Sequence, residues 1–146
     1  MRLRLKHLII RTRHTTERIN FARAVTFLYG PVSTGKSTVA RLVDFCLGGS
    51  LVRTPAIQHE FVAAELSLSL GGYSCTLERA GQDTQAVRVT WARDEEEAES
   101  VSAPLIAGDI PLIDAEVFNL SDLLFHLSGL TPIKVRQRTR DPDSPL

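Results

Sequence analysis

Cysteine is scarce in this chain. Two residues, Cys46 and Cys75, cannot make a disulfide framework. Each lies in an apolar segment, which reads as a small buried thiol in a reducing, cytoplasmic compartment. Long hydrophobic runs are also missing. Stretches such as Ala24 to Tyr29 are far too short to span a bilayer, so no membrane role is expected. Net charge is absent too, with 17 Lys and Arg against 17 Asp and Glu in 146 residues. Internal repeats, heptad runs and metal-ligand spacings of His and Cys are not found.

The residues that are present describe a globular chain. Hydrophobic residues make up 43% and charged residues 23%, which excludes wholesale disorder. The length allows one domain with a real core. The zero net charge hides an uneven distribution: residues 1–53 carry net +8, residues 54–133 net −10 and residues 134–146 net +2. The basic first third suits phosphate groups or a polyanion, or else complements the acidic middle within one fold. The opening MRLRLKHLIIRTRH has some features of a transit peptide. Its Leu3, Leu5, Leu8 and Ile10 fit better as a half-buried strand with Arg and Lys outside.

Periodicity predicts strands over Arg4 to Thr12, around Arg18 to Phe21, and over Ala24 to Tyr29, the last buried on both faces. An amphipathic helix follows, with Val39, Leu42, Val43, Cys46 and Leu47 on one face and Gly48-Gly49 as its stop. Phe61 to Leu70, Tyr73 to Arg79 and Ala86 to Trp91 read as an antiparallel meander. Gly71-Gly72 and Ala80 to Asp83 are its turns. The acidic run Asp94 to Glu99 reads as a solvated loop or helix face, and residues 103–118 as a connector. A last helix begins near Asn119, with Leu120, Leu123, Leu124 and Leu127 as its stripe and Gly129 as its end. Trp91 reads as core. Glu60, Glu65 and Glu78 read as surface charges.

One motif carries chemistry. Gly30-Pro31-Val32-Ser33-Thr34-Gly35-Lys36-Ser37 is a complete Walker A pattern between an expected strand and an expected helix. The two glycines let the backbone bend around a phosphate where a side chain would collide. Amides from Val32 to Thr38 are expected to point into the concavity, and the helix adds its positive dipole end. Lys36 would bridge the β- and γ-phosphates as the catalytic cation. Ser37 would ligate Mg²⁺, and Thr38 would serve the α-phosphate. The predicted ligands are therefore ATP and Mg²⁺. The nearest match to an acidic strand end is Ile110 to Glu116. Pro111 argues against a strand there and favours a connector.

The segment Ile19 to Gly49 resembles the opening of ATP-binding-cassette ATPase heads of the SMC, RecF and SbcC type. The meander FVAAELSLSLGGYSCTLER is similar to the antiparallel subdomain that follows their Walker A helix. Val32 stands where that family usually has Asn, and Ser33 where it often has Gly. No glutamine loop, LSGG-type signature, Walker B strand or switch histidine is found. The resemblance therefore implies the N-terminal half of such a head. It implies an α/β P-loop fold with an antiparallel β subdomain, residues 1–133 forming the lobe and 134–146 an irregular basic tail. It further implies pairing with a second copy or a complementing C-terminal lobe, and ATP hydrolysis only once completed. It also implies work near DNA in repair, chromosome maintenance or defence, and an adenine contact in Arg11 to Thr16. The competing readings are a small complete P-loop kinase acting on a metabolite and a non-catalytic nucleotide-binding fragment.

Overall fold

The computed structural model describes residues 3–23, 36–82, 85–113 and 116–130. Six strands and three helices occur there: β1 (Leu3–Thr12), β2 (Thr16–Asn20), α1 (Lys36–Cys46), α2 (Pro55–Glu60), β3 (Phe61–Leu70), β4 (Tyr73–Ala80), β5 (Ala86–Ala92), β6 (Glu99–Pro104) and α3 (Leu120–Ser128). The expected strand Ala24 to Tyr29, the residues Gly30 to Gly35, Asp83 of the second turn and the tail 134–146 lie outside the described residues.

The strands form one sheet in the order β2-β1-β3-β4-β5-β6, and every described pairing is antiparallel. This corrects the α/β expectation. The meander is not a separate subdomain following an α/β unit; β1 lies directly against β3 and makes it part of one continuous antiparallel sheet. The physical reason is visible in the alternation. Leu66, Leu68 and Leu70 are buried while Ser67 and Ser69 between them are only half-buried, which marks a sheet covered on one face. An α/β sheet, covered on both faces, calls for near-continuous apolar strands instead.

The covered face carries Leu8, Ala64, Leu66, Leu68, Cys75, Leu77, Val87, Val89 and Ala103. Leu42, Phe45 and Cys46 of α1 and Leu120, Leu123 and Leu127 of α3 pack against it. The result is a two-layer arrangement of helices on one side of an antiparallel sheet. Phe45 is fully buried and meets Phe61 edge-on, with ring centroids 5.9 Å apart. Asn119 caps α3 by accepting from the Asp122 amide at 2.8 Å, and Gly129 closes it. Gly71 and Gly72 both have positive φ, +57° and +89°, as a two-residue type I′ hairpin demands. Neither α2 nor β6 was expected from the sequence. Thr54 caps α2 through its Oγ1, and β6 stands where the acidic run and connector were placed.

The opposite face is open among the described residues. Register lines up Asn20, His7, Ser67, Thr76, Thr90 and Ser100 in one row across all six strands. The neighbouring row holds Arg18, Ile9, Glu65, Glu78, Arg88 and Ser102. Arg11 reaches Glu65 at 3.0 Å and Glu78 at 3.5 Å. A bulge between Leu5 and His7 leaves Lys6 on this side, where its Nζ donates to Ser74 Oγ at 3.2 Å.

His7 has a consequence for stability. Burial first, then the Arg18 charge and more weakly that of Lys6, push its pKa below 6.5, and Glu65 opposes them. Arg18 Nη2 donates to His7 Nδ1 at 3.2 Å, which requires the neutral ring. The unfolded chain therefore takes up a proton first as pH falls. Stability should be flat above about pH 6.5 and decline below it until the folded-state pKa is passed. Urea midpoints between pH 7.5 and 5, compared with His7→Gln, check this. An equal slope in the variant would remove His7 as the cause.

Candidate functional site

The Walker A pattern meets the described structure at α1. Lys36 is the first residue of that helix, Ser37 is exposed in its first turn, and Thr38 is half-buried. Gly30, Pro31, Val32, Ser33, Thr34 and Gly35 lie outside the described residues. The sequence therefore delivers its lysine and hydroxyls at a helix start, where backbone amides have no partner within the helix.

The charge arrangement along α1 favours an anion at that end. Its first turn contains no acidic side chain, and its last turn contains no basic one. Asp44 even adds a carboxylate near the C-terminus, against the usual preference. The C-terminal countercharge comes from the sheet instead. Arg79 on β4 points into the core and is 3% exposed. Its Nη1 donates to the carbonyls of Phe45 at 2.7 Å and Gly49 at 2.6 Å. Its guanidinium lies 4.1 Å from the centroid of the Phe45 ring. A cation thus holds the negative end of α1, and its positive end begins at Lys36, directly after Gly35 in the sequence.

Sequence reading missed Arg79. The signal was its parity: Cys75, Leu77 and Arg79 share one face of a strand, and a cation at a core position needs a stated partner. It also missed Phe45 as the anchor of α1.

Other candidates fall away from α1's start. Burial pushes the Cys46 thiol up to about 12, with Arg79 partly opposing, and the Cys75 thiol up to about 11, with Lys6 opposing. Both are free, buried and poorly suited to nucleophilic work at neutral pH. An apolar groove of about 230 Å³ lies at the other end of α1, between Leu47, Leu68, Leu70, Leu124 and Phe125. It offers the hydroxyls of Ser121 and Ser128 but no charged side chain for a phosphate. Ile110 is exposed and lies in no strand, and Asp114 lies outside the described residues. Among the described residues, no three His, Cys, Asp or Glu side chains gather as a metal cage. No described helix is long and apolar enough to cross a membrane.

No family model matches the chain, and no curated protein matches it.

Proposed function

We propose that the segment Gly30 to Thr38 binds the triphosphate of ATP together with Mg²⁺. The observation that supports this most directly is the junction at Lys36. A GxxxxGKS pattern runs straight into a helix with no acidic side chain in its first turn, and a buried guanidinium offsets the far end. In this reading Gly30, Pro31, Val32, Ser33, Thr34 and Gly35 supply the bend and the amides. Lys36 supplies the cation, Ser37 the hydroxyl ligand to Mg²⁺, and Thr38 a further amide.

The proposal is for binding. Hydrolysis also needs an acidic residue at the metal and a group that orients water. We assign those groups to a second copy or a complementing lobe. The cytoplasm is the compartment where ATP, Mg²⁺ and free thiols coexist, and both cysteines are free.

Calorimetric titration with ATP and Mg²⁺ tests the reading. The wild-type chain should bind, and Lys36→Ala should weaken binding by about 10- to 100-fold, the range set by losing one charge-assisted contact. Ser37→Ala should weaken binding in Mg²⁺ but leave the residual affinity in EDTA unchanged. A wild-type chain that takes up no ATP, or a Lys36→Ala chain that binds as well, would end the proposal.

A further inference from the structure

Among the described residues, Arg79 is the one charged side chain that is buried. The sheet makes room for it. Its cross-strand neighbour on β3 is Ala64, whereas the same face of β3 carries leucine at positions 66 and 68. The short Ala64 side chain leaves to the guanidinium the space that a third leucine would fill. The Phe45 ring touches both the guanidinium, 4.1 Å from its centroid, and the ring of Phe61. The two carbonyls that Nη1 reaches belong to the last turn of α1 (Phe45) and to the chain just past it (Gly49). The charge is therefore fixed in place at the carbonyl end of the helix that starts with Lys36.

Burial gives this charge reach. The 11 residues of α1 span about 16 Å, so the guanidinium lies roughly that far from the amides of the first turn. An exposed cation at such a range is screened by salt, whose Debye length is about 8–10 Å. Arg41, which is nearer to Lys36 on the same helix, is exposed and falls under that screening. A cation enclosed between helix and sheet does not. At an effective dielectric constant of about 20 and a separation of about 16 Å, it changes anion affinity about fivefold per unit of ligand charge. It also covers the negative end of the helix dipole, which would otherwise oppose an anion at the start.

We propose that Arg79 is a positioning residue for the phosphate site, acting through α1, and that its buried charge makes the site prefer the more highly charged nucleotide. The inference rests on the nucleotide reading above and adds to it a residue outside the motif. Arg79 touches no ligand in this scheme. Its bonds to the Phe45 and Gly49 carbonyls fix where α1 ends on the sheet, and so where Lys36 begins. Its charge then acts on whatever the first turn holds. With Mg²⁺ bound, ATP carries a net charge of about −2 and ADP about −1, so the same cation favours ATP by the larger factor. Charge and stability separate here. The donors matter to folding, but only the charge matters at the far end of the helix.

The test titrates the full chain with ATP and with ADP, each with Mg²⁺, at pH 7 and low temperature, with circular dichroism to check the fold. Arg79→Met should weaken ATP binding about five- to twentyfold and ADP binding about two- to fivefold, following ligand charge. Arg79→Lys loses the planar fork but keeps the charge, so it should bind ATP within about twofold of wild type although it is less stable. Arg79→Gln is polar but uncharged. It should bind as weakly as Arg79→Met, and it stands in for that variant if methionine prevents folding. Arg41→Ala removes an exposed cation from the same helix and should bind within about twofold of wild type. A wild-type chain that takes up no ATP removes the nucleotide reading and this inference with it. Wild type binding while Arg79→Met or Arg79→Gln binds equally well overturns the inference and leaves the reading standing. So does a loss in Arg79→Lys as large as that in the uncharged variants, which would make the role one of shape alone. Equal losses for ATP and ADP, or an equal loss in Arg41→Ala, also overturn it.

Discussion

Arg79→Met should lower the thermal midpoint of unfolding by roughly 10 °C. Methionine keeps the length of the stem but not its donors. The carbonyls of Phe45 and Gly49 would then be buried without the bonds now measured at 2.7 and 2.6 Å. Each lost partner costs about 1–3 kcal/mol, and the contact with the Phe45 ring is lost as well. The sum is about 3–4 kcal/mol, and each kcal/mol moves the midpoint by about 2–4 °C at this size. Arg79→Lys should fall in between, because an ammonium keeps the charge but not the planar fork. A midpoint for Arg79→Met within 2 °C of wild type would mean that apolar packing replaces the guanidinium in full, as buried ionic groups sometimes permit.

Gly71→Ala should be almost as damaging, and Gly72→Ala much less so. The turn places Gly71 under the end of α3. A Cβ there would fall on the carbonyl oxygen of Leu127 and lie 2.9 Å from the Cα of Ser128. Both obstacles are backbone, so neither can swing aside. The left-handed φ of +57° adds about 1 kcal/mol for any L side chain. We expect about 3 kcal/mol in total, or roughly 6–12 °C. The nearest atom to a Cβ on Gly72 is the Arg93 guanidinium at 3.9 Å, so only the backbone strain of about 1 kcal/mol remains. Hydrogen exchange should show α3 amides losing protection in Gly71→Ala alone. Equal losses in the two variants would place the whole cost in the turn and none in the contact with α3.

Much of the sheet was legible because its signals are local. Alternating leucines gave β3, a Gly-Gly pair gave its turn, and Asn119 with Gly129 bracketed α3. The layer arrangement was not. The phosphate-loop pattern carried with it the expectation of an α/β P-loop fold, which set the meander apart as a subdomain although the alternation of Leu66, Leu68 and Leu70 already marked one-sided strands. The strand β6 was hidden because ESVSAP buries little besides Ala103. Its pairing comes from β5, not from its own pattern. The helix α2 spans six residues and is set by the Thr54 cap and Pro55, a signal too short to stand out. At the candidate site, the onset of a helix at Lys36 was legible from spacing. The clamp on its far end was not, because the guanidinium comes from β4, more than thirty residues later in the chain.

The place of β1 in the sheet also sets a timetable. Its first neighbour, β2, follows after a short turn, but its second neighbour begins only at Phe61. A ribosome needs on the order of several seconds to add that stretch. Throughout that interval Leu8 and Ile10 lack Leu66 and Ala64, their partners on β3. The meander from β3 to β6, by contrast, joins near neighbours and can zip rapidly once made. Nascent chains should therefore wait with a sticky leading hairpin, and this is the stage at which a chaperone would be most useful.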